Sequence, residues 1–158
     1  MQKINLRLLK KIVNALLTEL EIEKVDIGIC LVATPEMTRL NETFLKHKGS
    51  TDVITFDYGF GVPPSGGSKR GVMPAQNNRL KPGHQTLHGE IFICVDEAVL
   101  HARQFSTSWQ SEVIRYLVHG ILHLLGFDDS SAGARRKMKR AENRRLREMT
   151  RRFPLSKL

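Results

Sequence analysis

Long apolar runs and cysteines are scarce in this 158-residue sequence. The first scarcity argues against a membrane-spanning protein, and the second argues against a fold held together by disulfides. The first helix candidate is interrupted by Lys10, Lys11 and Glu19, so it falls short of the roughly 18–20 apolar residues that a membrane span needs. The N-terminus lacks a clean apolar core and a small-residue cleavage site, which argues against a signal peptide. The two cysteines, Cys30 and Cys94, lie in apolar runs and are expected to be reduced core residues of a cytoplasmic protein.

Acidic residues are scarce in one place, the C-terminal segment. Residues 131–158 hold 11 of the 25 Lys and Arg residues but only 2 of the 16 Asp and Glu residues. The rest of the chain is neutral, so this segment carries the whole formal net charge of +9. A neutral body with a basic segment indicates a polyanion such as nucleic acid as partner. The alternative is a solvated helix with a basic bias.

Helical and strand-like patterns alternate along the chain, which is expected to form one domain. Predicted strands cover 25–33, 51–58 and 90–95, and a mobile loop rich in Gly and Pro covers about 59–87. In the strand at 51–58, Val53 and Thr55 are expected on one face of the sheet and Ile54 and Phe56 on the other. Predicted helices cover 5–22, a segment capped by Thr34, a segment capped by Asp96, a segment from Ser106 or Thr107 to Gly126, and a basic C-terminal segment at about 131–153. This order predicts an α+β fold, in which a small mixed sheet packs against several helices.

The stretch HGILHLLGFDDS, residues 119–130, has the spacing of a metal site. His119 and His123 are one turn apart on one helical face, so both imidazoles can reach one ion. Gly126 can end the helix and turn the chain back, which brings Asp129 within reach as a third ligand. Zinc proteases place Glu directly after the first histidine, whereas this chain has Gly120, so a protease is a poor interpretation. The alternative is that both histidines simply line the core.

The same stretch resembles the signature H-G-x-L-H-L-x-G-[YF]-D-H of the YbeY family of metal-dependent endoribonucleases. The matching residues are His119, Gly120, Leu122, His123, Leu124, Gly126, Phe127 and Asp128. Further segments follow in the family's order: LNETF at 40–44, TDVITF at 51–56, HGEIFIC at 88–94, and the pair Met138 and Glu142. The resemblance covers most of residues 36–146.

This resemblance implies an α+β fold with a metal cleft beside the HGILH helix, in which three histidines bind zinc, and it implies hydrolysis of single-stranded RNA. It also implies a role in rRNA maturation and ribosome quality control, with single-stranded RNA, rRNA and the ribosome as partners and no membrane. His119 and His123 carry over as metal ligands, and Asp129 stands in place of the third histidine. A second departure is Leu45, which replaces an arginine that the family is thought to use in catalysis. The third departure is the long loop.

A bound ion would polarise a phosphate oxygen and acidify a water, which makes His119 a catalytic candidate through the ion that it holds. A cation is then needed for the charge that develops on the phosphate, and the candidates are Lys46 and Lys48. Asp52 is a candidate for orienting groups, although a turn role is the alternative. The candidates for binding RNA are Lys46, Lys48, Arg144, Arg145, Arg151 and Arg152.

Two other functions remain open at this point. One is a ribosome- or RNA-associated protein of the same fold with weakened or lost catalysis, which the changes at Asp129 and Leu45 favour. The other is a metal-dependent hydrolase of a different substrate, which the basic segment argues against. Aromatic residues do not separate these functions, because Phe105, Trp109 and Tyr116 have helical spacing and are expected in the core rather than as base-stacking platforms.

Overall fold

Helices and strands alternate in a computed structural model of the chain, which describes residues 2–59 and 86–158. The strands are β1 (Lys24–Val32), β2 (Val53–Asp57) and β3 (Thr86–Cys94). The α-helices are α1 (Leu6–Glu19), α2 (Thr34–Leu40), α3 (Val95–Phe105), α4 (Trp109–Leu124) and α5 (Ala132–Arg152). A π-helical turn, Asn41–Leu45, continues α2 without a break.

The three strands form a mixed sheet in the order β1-β3-β2. β1 runs parallel to β3, and β2 runs antiparallel to it. Ile91 in the middle of β3 is therefore opposite Ile29 on one side and Thr55 on the other. This small sheet with its five helices confirms the predicted α+β fold.

Both faces of the sheet are covered, but by different elements. On one face Ile91 and Ile93 are fully buried in the main core, which α1, α4 and α5 complete. On the other face a smaller cluster surrounds Met37 of α2. The alternation predicted for β2 follows from this arrangement, because Val53 packs on the main core and Ile54 lies in the smaller cluster.

The long loop expected at about 59–87 lies mostly outside the described residues. Its predicted end was wrong, because Thr86 and Leu87 already belong to β3. The strand predicted at 90–95 accordingly begins at Thr86 and ends at Cys94. β3 pairs on both edges, and Leu87 is buried, so the strand is longer than its most apolar stretch indicated.

Three predicted helix starts were also wrong. The N-cap of α2 is Ala33 rather than Thr34, and the N-cap of α3 is Cys94. Asp96 does not cap its own helix, since its Oδ2 accepts hydrogen bonds from the Thr34 backbone N–H (2.9 Å) and hydroxyl (3.2 Å). The side chain of Ser108 caps α4 by accepting from the N–H of Ser111. The contact between Thr34 and Asp96 joins two helices that are distant in sequence, so no local pattern reveals it, whereas the Ser108 cap is a local interaction.

Of the three aromatic residues expected in the core, Tyr116 lies in the main core and Trp109 packs against it, and Phe105 departs from the prediction. Tyr116 is 3% exposed, Trp109 is half-buried, and Phe105 is 62% exposed because α3 ends there. Within the described ranges, no helix is long and apolar enough to cross a membrane.

Candidate metal centre

The end of α4 is built to turn the chain sharply beyond the two histidines. Gly126 has a φ of +86°, which only glycine adopts easily. Its N–H donates to the His123 carbonyl at 2.8 Å, and the N–H of Phe127 donates to the Leu122 carbonyl at 3.0 Å. This pair of hydrogen bonds is a Schellman motif. It directs the residues after Gly126 back along the helix end.

The two imidazoles meet at their Nε2 atoms, which are 3.0 Å apart. The Nδ1 of His119 lies 3.2 Å from the Glu142 carboxylate, and the Nδ1 of His123 lies 3.1 Å from the Phe127 carbonyl. Both of those partners only accept, so the Nδ1 of each ring carries a proton, and the Nε2 of a neutral ring then keeps its lone pair free. Two lone pairs at this distance repel each other unless a cation lies near both. The arrangement therefore suits a shared metal ion.

Asp129 supplies the third donor of this group. Its Oδ2 is 3.9 Å from the Nε2 of His123, and the ligand atoms of His119, His123 and Asp129 all lie within 4.8 Å of one another. All three side chains are partly buried, so water and substrate can still approach. Two imidazoles and a carboxylate form a donor set that fits zinc and leaves a coordination position open.

Asp128 points its carboxylate to a different partner. It accepts hydrogen bonds from the Ser130 N–H (3.0 Å) and from the Ser130 hydroxyl. These bonds hold the pKa of Asp128 below its ordinary value. The side chain thus closes a turn that leads into α5, whose N-cap is Ser131.

Glu142 of α5 is buried behind His119 and is 4% exposed. Besides His119, its carboxylate accepts from Arg115 (2.8 Å) and from Lys139 (3.0 Å). Burial by itself would raise its pKa, but the hydrogen bonds from His119, Arg115 and Lys139 outweigh burial and hold the pKa at about 2. Glu142 is therefore ionised at neutral pH and fixes the His119 ring.

Burial also keeps His123 in the form that can bind a metal. Desolvation is the main cause that lowers its pKa, and the neighbouring His119 lowers it further. Asp129 and the Phe127 carbonyl act in the opposite direction without cancelling the effect. His123 is thus neutral at neutral pH, as a metal-binding imidazole must be.

Close packing explains the glycine between the histidines. A Cβ atom at Gly120 would lie 2.7 Å from a methyl carbon of Ile91 and 3.0 Å from the hydroxyl of Thr55. Ile91 is fully buried in the middle of the sheet, so it has little room to move. The position at which a zinc protease carries its glutamate is therefore in contact with β2 and β3 in this fold, and it does not face the open site.

Among the described residues, no hydrogen bond or ion pair joins Lys46, Lys48 or Asp52 to this group of three. Lys46 donates to the Thr43 carbonyl at 2.7 Å and has a φ of +60°, so it closes the π-helical turn. Lys48 is exposed, and no hydrogen bond or ion pair among described residues links it to the histidines. Asp52 accepts from the hydroxyl of Thr51 and the N–H of Val53, which is the turn role considered as the alternative.

The four arginines predicted to contact RNA divide into two pairs. Arg145 and Arg152 both form ion pairs with Glu19, which links α5 to α1. Arg144 is 68% exposed and pairs with Glu148 on its own helix, while Arg151 is exposed without an ion pair to any described residue. Two of the four thus take part in packing α5 on α1.

Sequence reasoning missed the part that Glu142 plays in the site. It noted Glu142 only as a match to the family's last helix, because residues 23 positions apart have no local pattern that pairs them. The sequence does contain a signal for this role. Glu142 is a lone acidic residue between Lys139 and Arg144, and it lies four residues after Met138 on the apolar side of the helix. An acidic residue on the apolar stripe of a basic helix indicates a buried partner of opposite charge.

These features define a class of small α+β proteins with a candidate metal site. Two histidines on one helix face a carboxylate that follows a turn at glycine. A family model described as Endoribonuclease YbeY matches residues 2–150, and the chain belongs to this family. The YbeY endoribonuclease of Salinibacter ruber is 31% identical over 76% of this chain and 68% of its own length. That of Chlorobium phaeovibrioides is 31% identical over 88% of this chain and 78% of its own.

A solved structure supports the fold independently. A protein of Thermotoga maritima, determined in solution, superposes with a TM-score of 0.64 over 98% of this chain and 91% of its own. Its sequence is 24% identical, so the likeness concerns the fold alone. Membership of the YbeY family supports an endoribonuclease role for the chain.

Proposed function

We propose that this protein is a metal-dependent endoribonuclease that cleaves single-stranded RNA and acts in rRNA maturation and ribosome quality control. The observation that carries the proposal is the donor set of His119, His123 and Asp129, whose ligand atoms lie within 4.8 Å of one another. Membership of the endoribonuclease family supplies the substrate class. The ribosome and rRNA are the partners that follow, and the free thiols of Cys30 and Cys94 suit the reducing cytoplasm.

Zinc is the ion that fits these residues best, because two imidazoles and one carboxylate are borderline donors. When bound, it would supply Lewis acidity and a more acidic water. The chain's own contribution is positional. Glu142 and the Phe127 carbonyl hold the Nδ1 protons of the two imidazoles, so both Nε2 lone pairs face the same point. Partial burial of all three donors limits the water that competes for the ion.

Cleavage of a labelled, unstructured RNA by the purified protein tests the proposal. The double change His119→Ala/His123→Ala should abolish cleavage, because it removes both imidazole ligands. The matched control is His47→Ala/His88→Ala, which removes two exposed histidines outside the group and should keep full activity. Cleavage that survives the first double change, or that no divalent metal supports, would refute the enzymatic proposal.

A second function is an RNA-associated protein of the same fold with weakened catalysis. One observation favours it: Leu45, which stands where the resemblance predicts an arginine, packs on the apolar cluster around Met37. Lys46 beside it is engaged with the Thr43 carbonyl. Measuring RNA binding and RNA cleavage on the same sample, with and without metal, separates the two functions. Binding without metal-dependent cleavage would establish the second.

A further inference from the structure

The solvent-facing side of α5 carries a row of arginines, which we call the arginine face. At 3.6 residues per turn its members fall within an arc of about 80°. The buried residues Met138, Glu142, Leu146 and Met149 lie on the opposite side of the helix. All members of the row are exposed: Arg136, Arg140, Arg144, Arg147 and Arg151.

The arginine face is not neutralised by its surroundings. The two acidic residues of α5 point elsewhere, since Glu142 is buried against His119 and Glu148 lies beside Arg145. Among the described residues, only Arg144 of the row has a carboxylate within ion-pair distance, at 3.2 Å from Glu148. Exposed pairs of this kind bind weakly and leave the cation available to a stronger anion. Five like charges on one side of a helix repel one another, so the row gains stability when anions bind along it.

The spacing of the row suits a polymer with regularly repeated charge. Successive members are three or four residues apart, and four residues correspond to a rise of about 6 Å. From Arg136 to Arg151 the row extends for about 22 Å along a straight helix. Guanidinium groups bind phosphate in a bidentate manner, so each member can engage one phosphate of a strand.

A lipid surface fits this face less well than RNA does. Helices that lie on membranes insert apolar side chains next to their basic residues. The apolar side of α5 is instead buried against α4 and α1, and the arginine face contains no large apolar residue. Binding by charge alone, without insertion, is typical of contacts to a nucleic-acid backbone.

We infer that the arginine face of α5 is a docking surface for the phosphodiester backbone of RNA, separate from the metal centre and without base preference. The inference rests on the proposed function for its choice of RNA as partner. It differs from the sequence-based set of Arg144, Arg145, Arg151 and Arg152. Arg145 and Arg152 are engaged with Glu19, whereas Arg136, Arg140 and Arg147 join the surface.

The test compares two triple variants that lose the same charge. Arg136→Gln/Arg140→Gln/Arg147→Gln removes three members of the face. Arg7→Gln/Lys10→Gln/Lys11→Gln removes three exposed cations of α1 and serves as the control. The probe is a fluorescent oligouridine, titrated by anisotropy at several salt concentrations in the presence of a chelator, so that cleavage does not interfere.

The face variant should bind roughly tenfold more weakly, and the slope of log affinity against log salt should become shallower by about 2, since each lost phosphate contact removes ~0.7. The control should keep the wild-type slope. A third variant, Arg136→Lys/Arg140→Lys/Arg147→Lys, keeps the charge and should retain most of the affinity. Circular dichroism of each variant confirms that α5 is intact.

Equal losses in the two Gln variants would mean that only net charge matters, and would overturn the inference. So would unchanged binding by the face variant, or tighter binding of the wild type to phosphatidylserine vesicles than to oligouridine. Because binding is measured without metal, a protein that binds through the face but cleaves no RNA would refute the proposed nuclease activity and leave the docking surface supported.

Discussion

At the scale of single residues, a carboxylate at position 129 would change the chemistry of a bound metal ion. A carboxylate oxygen binds zinc at about the same distance as an imidazole nitrogen, ~2.0–2.2 Å, so the ion need not be lost. A carboxylate adds a negative charge that a neutral imidazole lacks, and this charge makes a metal-bound water less acidic. The harder donor also makes manganese and magnesium more competitive.

The first prediction concerns this ligand. Asp129→Ala should lose most of the tightly bound metal, because two imidazoles alone hold an ion weakly. Asp128→Ala should retain it, since that carboxylate is engaged with Ser130. Asp129→His should bind zinc more tightly and cleave RNA faster than the natural chain. Metal content after gel filtration, measured by atomic emission, decides the matter. Wild-type metal content in Asp129→Ala would rule Asp129 out as a ligand.

The second prediction concerns the residue that fixes His119. Glu142→Gln keeps the shape of the side chain and removes its charge, so the His119 ring loses its ionised partner and becomes a weaker ligand. We expect zinc affinity to fall about 10- to 100-fold. Glu148→Gln is the matched control, because Glu148 also binds arginines of α5 but does not touch a histidine. Competition with a chromophoric chelator measures both affinities, and equal affinities would contradict the role.

At the scale of elements, one part of α4 both packs against the sheet and carries the two histidines of the candidate metal centre. Gly120 allows close contact with Ile91 of β3, while His119 and His123 point away toward α5 and the turn at Gly126. The helix therefore presents the histidine pair from a support that is buried on its other side. A site on a packed helix holds its ligands more rigidly than a site on a loop.

The third prediction tests that close contact. Gly120→Ala should lower the free energy of unfolding by about 1–3 kcal/mol, because the new methyl group overlaps the buried side chain of Ile91. The control is Gly133→Ala in the first turn of α5, where a Cβ meets nothing within 4 Å. That change should be neutral or stabilise by up to about 1 kcal/mol. Urea denaturation followed by circular dichroism compares the two, and equal stabilities would disprove the packing argument.

At the scale of the whole molecule, the candidate metal centre lies where α4, the Gly126 turn and α5 meet. His119 and His123 belong to α4, Asp129 to the turn, and Glu142 reaches in from α5. A metal ion bound by this group links elements that unfolding would separate. Binding to the folded state alone stabilises it, by ~2.7 kcal/mol when the free ligand is at a hundredfold its dissociation constant.

The fourth prediction follows from this linkage. Adding zinc to the chelator-treated protein should raise its melting temperature by roughly 5–10 °C, given ~2–4 °C per kcal/mol for a chain of this size. His119→Ala/His123→Ala should show no such rise. Differential scanning calorimetry of both proteins measures the shift. A rise of equal size in the double variant would place the stabilising zinc elsewhere on the molecule.

Local patterns were sufficient for the features that the sequence alone determined. Periodicity located the helices and strands, and the alternation in TDVITF correctly assigned Val53 and Ile54 to opposite faces of the sheet. The pair His119 and His123 and the glycine at 126 lie within one helix and its end, where spacing along the chain determines spacing in the molecule. The predicted grouping with Asp129 is part of the same short segment, and the structure places its oxygen among the imidazole nitrogens.

Tertiary structure alone decided the contacts between distant segments. Glu142 reaches His119 across 23 residues, and Asp96 caps the start of α2 across 62, because burial and helix packing select these partners. Tertiary structure also decided the roles of the basic residues at 131–158. The sequence shows their charge, but it does not show which of them form ion pairs and which face solvent. Packing against α1 and α4 turns Arg145 and Arg152 toward Glu19 and leaves the arginine face toward solvent. The side of a helix that is free to bind a partner depends on what covers the other side.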